Sequence, residues 1–135
     1  MRNAVIGIVM GLVFALPAAA RDGAGIEIVI RRQMDAFLSG DVTTAYTFAS
    51  PGIQQLFQTP ENFGRMVEEG YPMVWHPEDV RFGALSEDET GEIWQRVYVR
   101  DAAGATHALD YRMEQIEGIW RISGVKMAPA PDPAV

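Results

Sequence analysis

One change of rhythm limits the folds open to this chain more than any other feature. Apolar residues recur every three or four positions through the first half of the chain and every second position through the later half. Over 25–70, Ile26, Val29, Ile30, Gln33, Met34, Phe37 and Leu38 form one helical stripe, and Val42, Ala45, Tyr46 and Ala49 form a second. Gly40 is placed to close the first helix and Asp41 to cap the next. Ser50-Pro51 and Thr59-Pro60 each pair a capping hydroxyl with proline at the first helical position, where its missing N–H costs nothing. Residues 73–127 read as strands: VRFGAL (80–85), EIWQRVYVR (92–100), THALDYRMEQI (106–116) and IWRISGVKM (119–127), separated by turns rich in Gly and Asp. Connections this short join antiparallel neighbours, so the expected class is α+β, with N-terminal helices packed on a curved antiparallel sheet.

The first twenty residues follow neither rhythm. Arg2, the unbroken apolar run Ala4–Leu16, Pro17 and the small residues Ala18–Ala20 have the layout of a signal peptide cleaved after Ala20. The run falls short of the roughly 20 apolar residues a spanning helix needs. The expected location is therefore periplasmic or secreted, with a single domain over 21–127 and no membrane attachment after cleavage. The whole chain has 11 basic and 18 acidic residues, and loss of Arg2 leaves 10 against 18, a net charge of −8. Such a surface repels phosphate backbones, which argues against nucleic acid as a partner. With no cysteine, disulfides, thiol nucleophiles and zinc–thiolate sites are excluded. The end, APAPDPAV (128–135), places proline at alternate positions and is expected to be a disordered tail.

Three stretches carry a resemblance. ENFGRMVEEGYPMVWHPEDVRFGAL (61–85), RRQMDAFLSGDVTTAYTFASPGIQ (31–54) and GIWRISGVKM (118–127) resemble a bacterial family of uncharacterised domains, DUF4864, over about residues 26–127. The order of helices and strands also resembles the nuclear transport factor 2-like cone. The resemblance implies that fold, often with a pocket between helices and sheet, and export; it implies no activity. Enzymes of the wider superfamily, ketosteroid isomerase-like and dehydratase-like, place Asp, His or Tyr inside the cone, and no motif here matches theirs residue by residue.

Candidate sites follow from the residues. GYPMVWHP (70–77) reads as a wall joining the last helix to the sheet, with Tyr71 and Trp75 as alternative contacts at a pocket rim. Within 92–100, Ile93, Val97 and Val99 share one face, so Trp94, Arg96 and Tyr98 share the other. Aromatics interleaved with arginine suit a protein interface, here a homodimer. Within 106–116, His107, Leu109, Tyr111 and Met113 share the inward face, so His107 is placed to enter the cone mouth as an acid or base. Asp110 points the opposite way and is not its partner. Tyr46 would face it across a pocket. The acidic turn Glu87, Asp88, Glu89 and Glu92 lacks calcium-loop spacing, and two histidines without cysteine make no metal site.

These features point to an exported, soluble, non-catalytic domain that needs no cofactor and binds a small apolar molecule or an exported partner protein. The alternative is a small cofactor-free lyase or isomerase using His107, Tyr46 or Tyr111 inside the cone.

Overall fold

The computed structural model describes residues 22–129; the expected leader and residues 130–135 of the expected tail lie outside them. Within that span α1 (Gly23–Leu38), α2 (Val42–Thr47), α3 (Pro51–Phe57), α4 (Pro60–Gly70) and α5 (Pro72–Trp75) precede β1 (Asp79–Glu87), β2 (Ile93–Arg100), β3 (Thr106–Ile116) and β4 (Ile119–Met127). The class is α+β, as the change of period requires.

The helices begin and end where local chemistry directs. Asp41, Ser50 and Thr59 accept hydrogen bonds from the N–H groups of Thr44, Ile53 and Asn62, so α2, α3 and α4 each start on a side-chain cap. Gly40, at φ 73°, ends α1 in a Schellman arrangement. Its N–H donates to the Phe37 carbonyl and that of Asp41 to the Ala36 carbonyl, satisfying groups the helix end would strand. Ile26, Ile30, Met34 and Phe37 are buried along α1. Leu38, expected in the same stripe, is 43% exposed, because one step beyond Phe37 turns about 100° around the helix.

The start of the strand region needs correction. Met73 and Val74 belong to the single turn of α5, with Pro72 at its first position. Proline at that position starts a helix as readily as it interrupts one. His76, at φ −140° and ψ 75°, then leaves the helical region ahead of Pro77, as the residue before a proline favours. Likewise Ala49, expected on α2, lies beyond it and forms a parallel bridge with Ile122 of β4. Ser50 N–H donates to the Ile122 carbonyl and Ile122 N–H to that of Phe48. These bonds pair part of an edge that would otherwise be open.

The sheet is antiparallel in the order β1-β2-β3-β4. The β3–β4 hairpin turns on Glu117 and Gly118, both at positive φ, which matches the right-handed twist of the flanking strands. Register breaks occur in β1 between Phe82 and Leu85, and in the β3–β4 pair at Arg112/Met113. Bulges of this kind bend the strand that carries them. The helices cover one face, and the core lies between it and α1, with Val97, Val99, Leu109, Tyr111, Met113 and Ile122 below Ile26, Ile30, Met34 and Phe37.

Candidate functional site

Between the helices and the β3–β4 end of the sheet the core does not close. A cavity of about 250 Å³ opens there. Gln33 and Phe37 of α1, Ile53, Leu56 and Phe57 of α3, Phe63, Met66 and Val67 of α4, Tyr71 and Val74 around α5, and Tyr111, Ile122 and Val125 of the sheet surround it. Aromatic packing builds one wall. The Phe63 ring lies 5.8 Å from the rings of both Phe37 and Phe57, centroid to centroid, and offsets of this size suit tilted and edge contacts. Leu56, 68% exposed, marks the side toward solvent.

Few polar groups reach this space, and most are committed. The Gln33 side-chain amide donates to the Ala45 carbonyl at 3.2 Å. The Tyr71 hydroxyl donates to the Val125 carbonyl at 3.2 Å, tying the end of α4 to β4. Tyr111 differs: it is fully buried, and among the described residues its hydroxyl has no hydrogen-bond partner. Burial pushes its phenol well above the usual range, and the neighbouring Tyr71 adds to the shift, so the group is a neutral donor. A buried hydroxyl without a partner costs about 1–3 kcal/mol. The Trp120 indole N–H is also buried and unpaired, but its ring packs near Gly25 of α1, away from the cavity.

Other residues singled out in the sequence fall elsewhere. The Tyr46 hydroxyl donates to the Gln54 carbonyl, and its ring packs on Phe63 at 5.7 Å without lining the cavity. Trp75 lies half-buried against Phe37, ring centroids 5.4 Å apart, also outside the cavity, and His76 is exposed. Thus GYPMVWHP contributes Tyr71 and Val74 to the wall and keeps Trp75 behind it.

His107 does have an acidic partner, Asp101, whose carboxylate lies 2.7 Å from its Nε2. Asp101 also accepts the N–H groups of Ala103 and Ala105 at 2.9 Å. The hydrogen bond from His107, above all, holds its carboxyl below the usual range. The pair closes the β2–β3 turn and does not line the cavity.

Trp94, Arg96 and Tyr98 stand on the face turned away from the helices. Arg96 meets Asp110 across the strands at 2.5 and 3.2 Å. Trp94 Nε1 donates to Asp88 at 2.9 Å, and the Lys126 ammonium sits 4.3 Å from the centroid of the Trp94 ring. Among the described residues no charged side chain lines the cavity. Among the described residues no group of three or more His, Cys, Asp or Glu is placed to hold a metal ion, and no helix is long and apolar enough to cross a membrane.

Gln33, Leu56, Phe57, Met66 and Val125 were missed as site residues. Each lies on an apolar stripe, and the stripe was their only signal. It says which way a side chain points but not whether its neighbours fill the space in front of it.

Among the described residues the cavity wall is mainly apolar, with Gln33, Tyr71 and Tyr111 as its polar side chains. No curated protein matches the chain. One family model, described as Domain of unknown function (DUF4864), matches residues 19–135, and the chain belongs to that family.

Proposed function

We propose that this protein is an exported, cofactor-free binding domain with the nuclear transport factor 2-like cone fold, and that its cavity holds a small apolar molecule. The observation that carries the reading is the cavity itself: about 250 Å³, lined mainly by apolar side chains of α1, α3, α4 and the sheet. An apolar molecule held there would gain dispersion contacts with the walls and remove apolar surface from water. A cavity of ~150 Å³ accommodates benzene; by that scale the occupant here has about 10 non-hydrogen atoms. The cone assignment is supported by a long first helix, shorter ones after it, and a bulged antiparallel sheet covered on one face. Export is supported by the leader-like layout of residues 1–20.

Native mass spectrometry of the chain, released from the bacterial envelope without detergent or organic solvent, tests the reading. An adduct of constant mass, lost on extraction with organic solvent, is the expected result. A bare chain that also gives no cavity amide shifts with added apolar compounds would refute it.

A homodimer formed through the outer sheet face is a second proposal, supported by Trp94 and Tyr98 standing among Arg96, Arg100 and Arg112 on that face. Sedimentation at micromolar concentration tests it: a dimer disrupted by Trp94→Asp is expected, and a monomer across the range ends the idea.

A further inference from the structure

We propose that the occupant of the cavity is a neutral, mainly hydrocarbon alcohol or phenol whose hydroxyl donates a hydrogen bond to Oε1 of Gln33. The inference rests on the binding reading above and specifies its chemistry. Gln33 belongs to α1, is 3% exposed and lies on the cavity wall. Its amide nitrogen donates to the Ala45 carbonyl at 3.2 Å. Only the nitrogen of an amide can donate, so that bond settles which end is oxygen. Among the described residues no group donates to this oxygen. Nor is it sealed in: among those residues, the side-chain polar atoms both unpaired and cut off from accessible surface are the Tyr111 hydroxyl and the Trp120 indole nitrogen. The surface that Gln33 Oε1 keeps therefore opens to the cavity that Gln33 lines.

Other polar groups at the wall are engaged or enclosed. The Tyr71 hydroxyl donates to the Val125 carbonyl at 3.2 Å, the Ala49 carbonyl accepts the Gln54 amide at 3.2 Å, and the Tyr111 hydroxyl is shut away. Gln33 thus offers a free acceptor to a mainly apolar space. Two ligand classes fit less well. A hydrocarbon, ether or ketone has no proton to give, and sites with a buried polar group discriminate against analogues that cannot pair it. An ammonium brings a proton together with a full charge, and among the described residues no charged side chain on the wall offsets its desolvation. A hydroxyl meets the need: it donates one hydrogen bond, carries no charge and leaves the remaining surface to apolar contact.

The test uses two pairs of isomers, each a hydroxyl compound and an ether of equal size: 4-propylphenol with 4-ethylanisole, and the larger 6-methyl-2-naphthol with 2-methoxynaphthalene. Phenethylamine, protonated at neutral pH, supplies the cation. Each is titrated into the ¹⁵N-labelled protein while amide shifts of the cavity walls are followed. In at least one pair the hydroxyl compound is expected to bind about three- to tenfold more tightly than its ether, the ratio one neutral hydrogen bond supplies, with the cation weakest. Gln33→Met should abolish that preference and leave affinity for the ether unchanged. The Ala45 carbonyl still accepts the Phe48 N–H in that variant, and the amide spectrum reports its folding. Tyr71→Phe, which removes a hydroxyl oxygen of the neighbouring wall, should keep the preference. Equal binding within both pairs, tightest binding of the cation, a preference that survives Gln33→Met or one lost in Tyr71→Phe overturns the inference and leaves the binding reading standing. No shift with any of the five compounds overturns both.

Discussion

Gly64 lies where α4 crosses α2, and a Cβ built there would stand 2.5 Å from Val42 Cγ1. Two effects oppose each other in Gly64→Ala. Alanine improves helix propensity by about 1 kcal/mol, while forcing a methyl group into filled space costs about 1–3 kcal/mol. At 2.5 Å the steric cost should win, so urea denaturation should show a net loss on the order of 1 kcal/mol. Adding Val42→Ala should restore most of it. A single mutant as stable as wild type would mean the two helices slide apart without cost. Asp88 carries a pH prediction. Hydrogen bonds from the Thr90 and Trp94 side chains lead the effects that hold its carboxyl down, from 3.8 to about 2. A depressed folded-state value stabilises the protein above the unfolded value and loses that contribution as pH falls through the folded one. Stability contributed by Asp88 is therefore present above about pH 4 and lost toward pH 2. In thermal melts over that window, Asp88→Ala should show a shallower acid-side decline than wild type; parallel profiles would exclude this role.

Among the elements, α3 is the least anchored part of the cavity wall. None of its residues is fully buried, although Ile53 and Phe57 turn inward. Its end is strained as well. Gln58 has φ 73° and ψ −38°, and Thr59 N–H donates to the Phe57 carbonyl at 2.8 Å. This is a tight turn of the positive-φ kind, unfavourable for a residue with a Cβ. Glycine adopts such angles without that penalty. Gln58→Gly should therefore be neutral or raise stability by up to about 1 kcal/mol, even though glycine costs more backbone entropy. A clear drop in melting temperature would show that the turn is not strained. Hydrogen exchange should find α3 amides opening more readily than those of α1, whose Ile26 and Ile30 are fully buried. Access to the cavity would then pass beside Leu56.

Among the described residues helices and sheet share one core, with Phe37, Val97, Leu109 and Ile122 in a single cluster. Removing either layer exposes the other's apolar face, so the domain should unfold in one transition. Tryptophan fluorescence and far-ultraviolet dichroism should give coincident melts, and separated midpoints would show that the helical layer melts on its own. With no cysteine in the chain, reducing agent should leave the midpoint unchanged.

The same scale shows what could be read in advance. The order of elements, the caps at Asp41, Ser50 and Thr59, the Glu117-Gly118 turn and the alternating faces of β2 and β3 were all legible in the sequence. Each depends on residues a few positions apart, through a 3.6- or 2-residue period or the chemistry of one turn. The one-turn helix at Pro72 was missed because proline opens a helix and interrupts one with the same local signature. The cavity and the stranded Tyr111 hydroxyl were decided only in three dimensions; His107 and Asp101 are six residues apart across one turn, and their pairing depends on how that turn closes. Tyr71 and Val125, whose hydrogen bond leaves Tyr111 as the free phenol, are 54 residues apart. Local pattern determines which way each side chain points. Whether those side chains fill the space they face depends on volumes contributed from distant parts of the chain, and that balance exists only in the folded molecule.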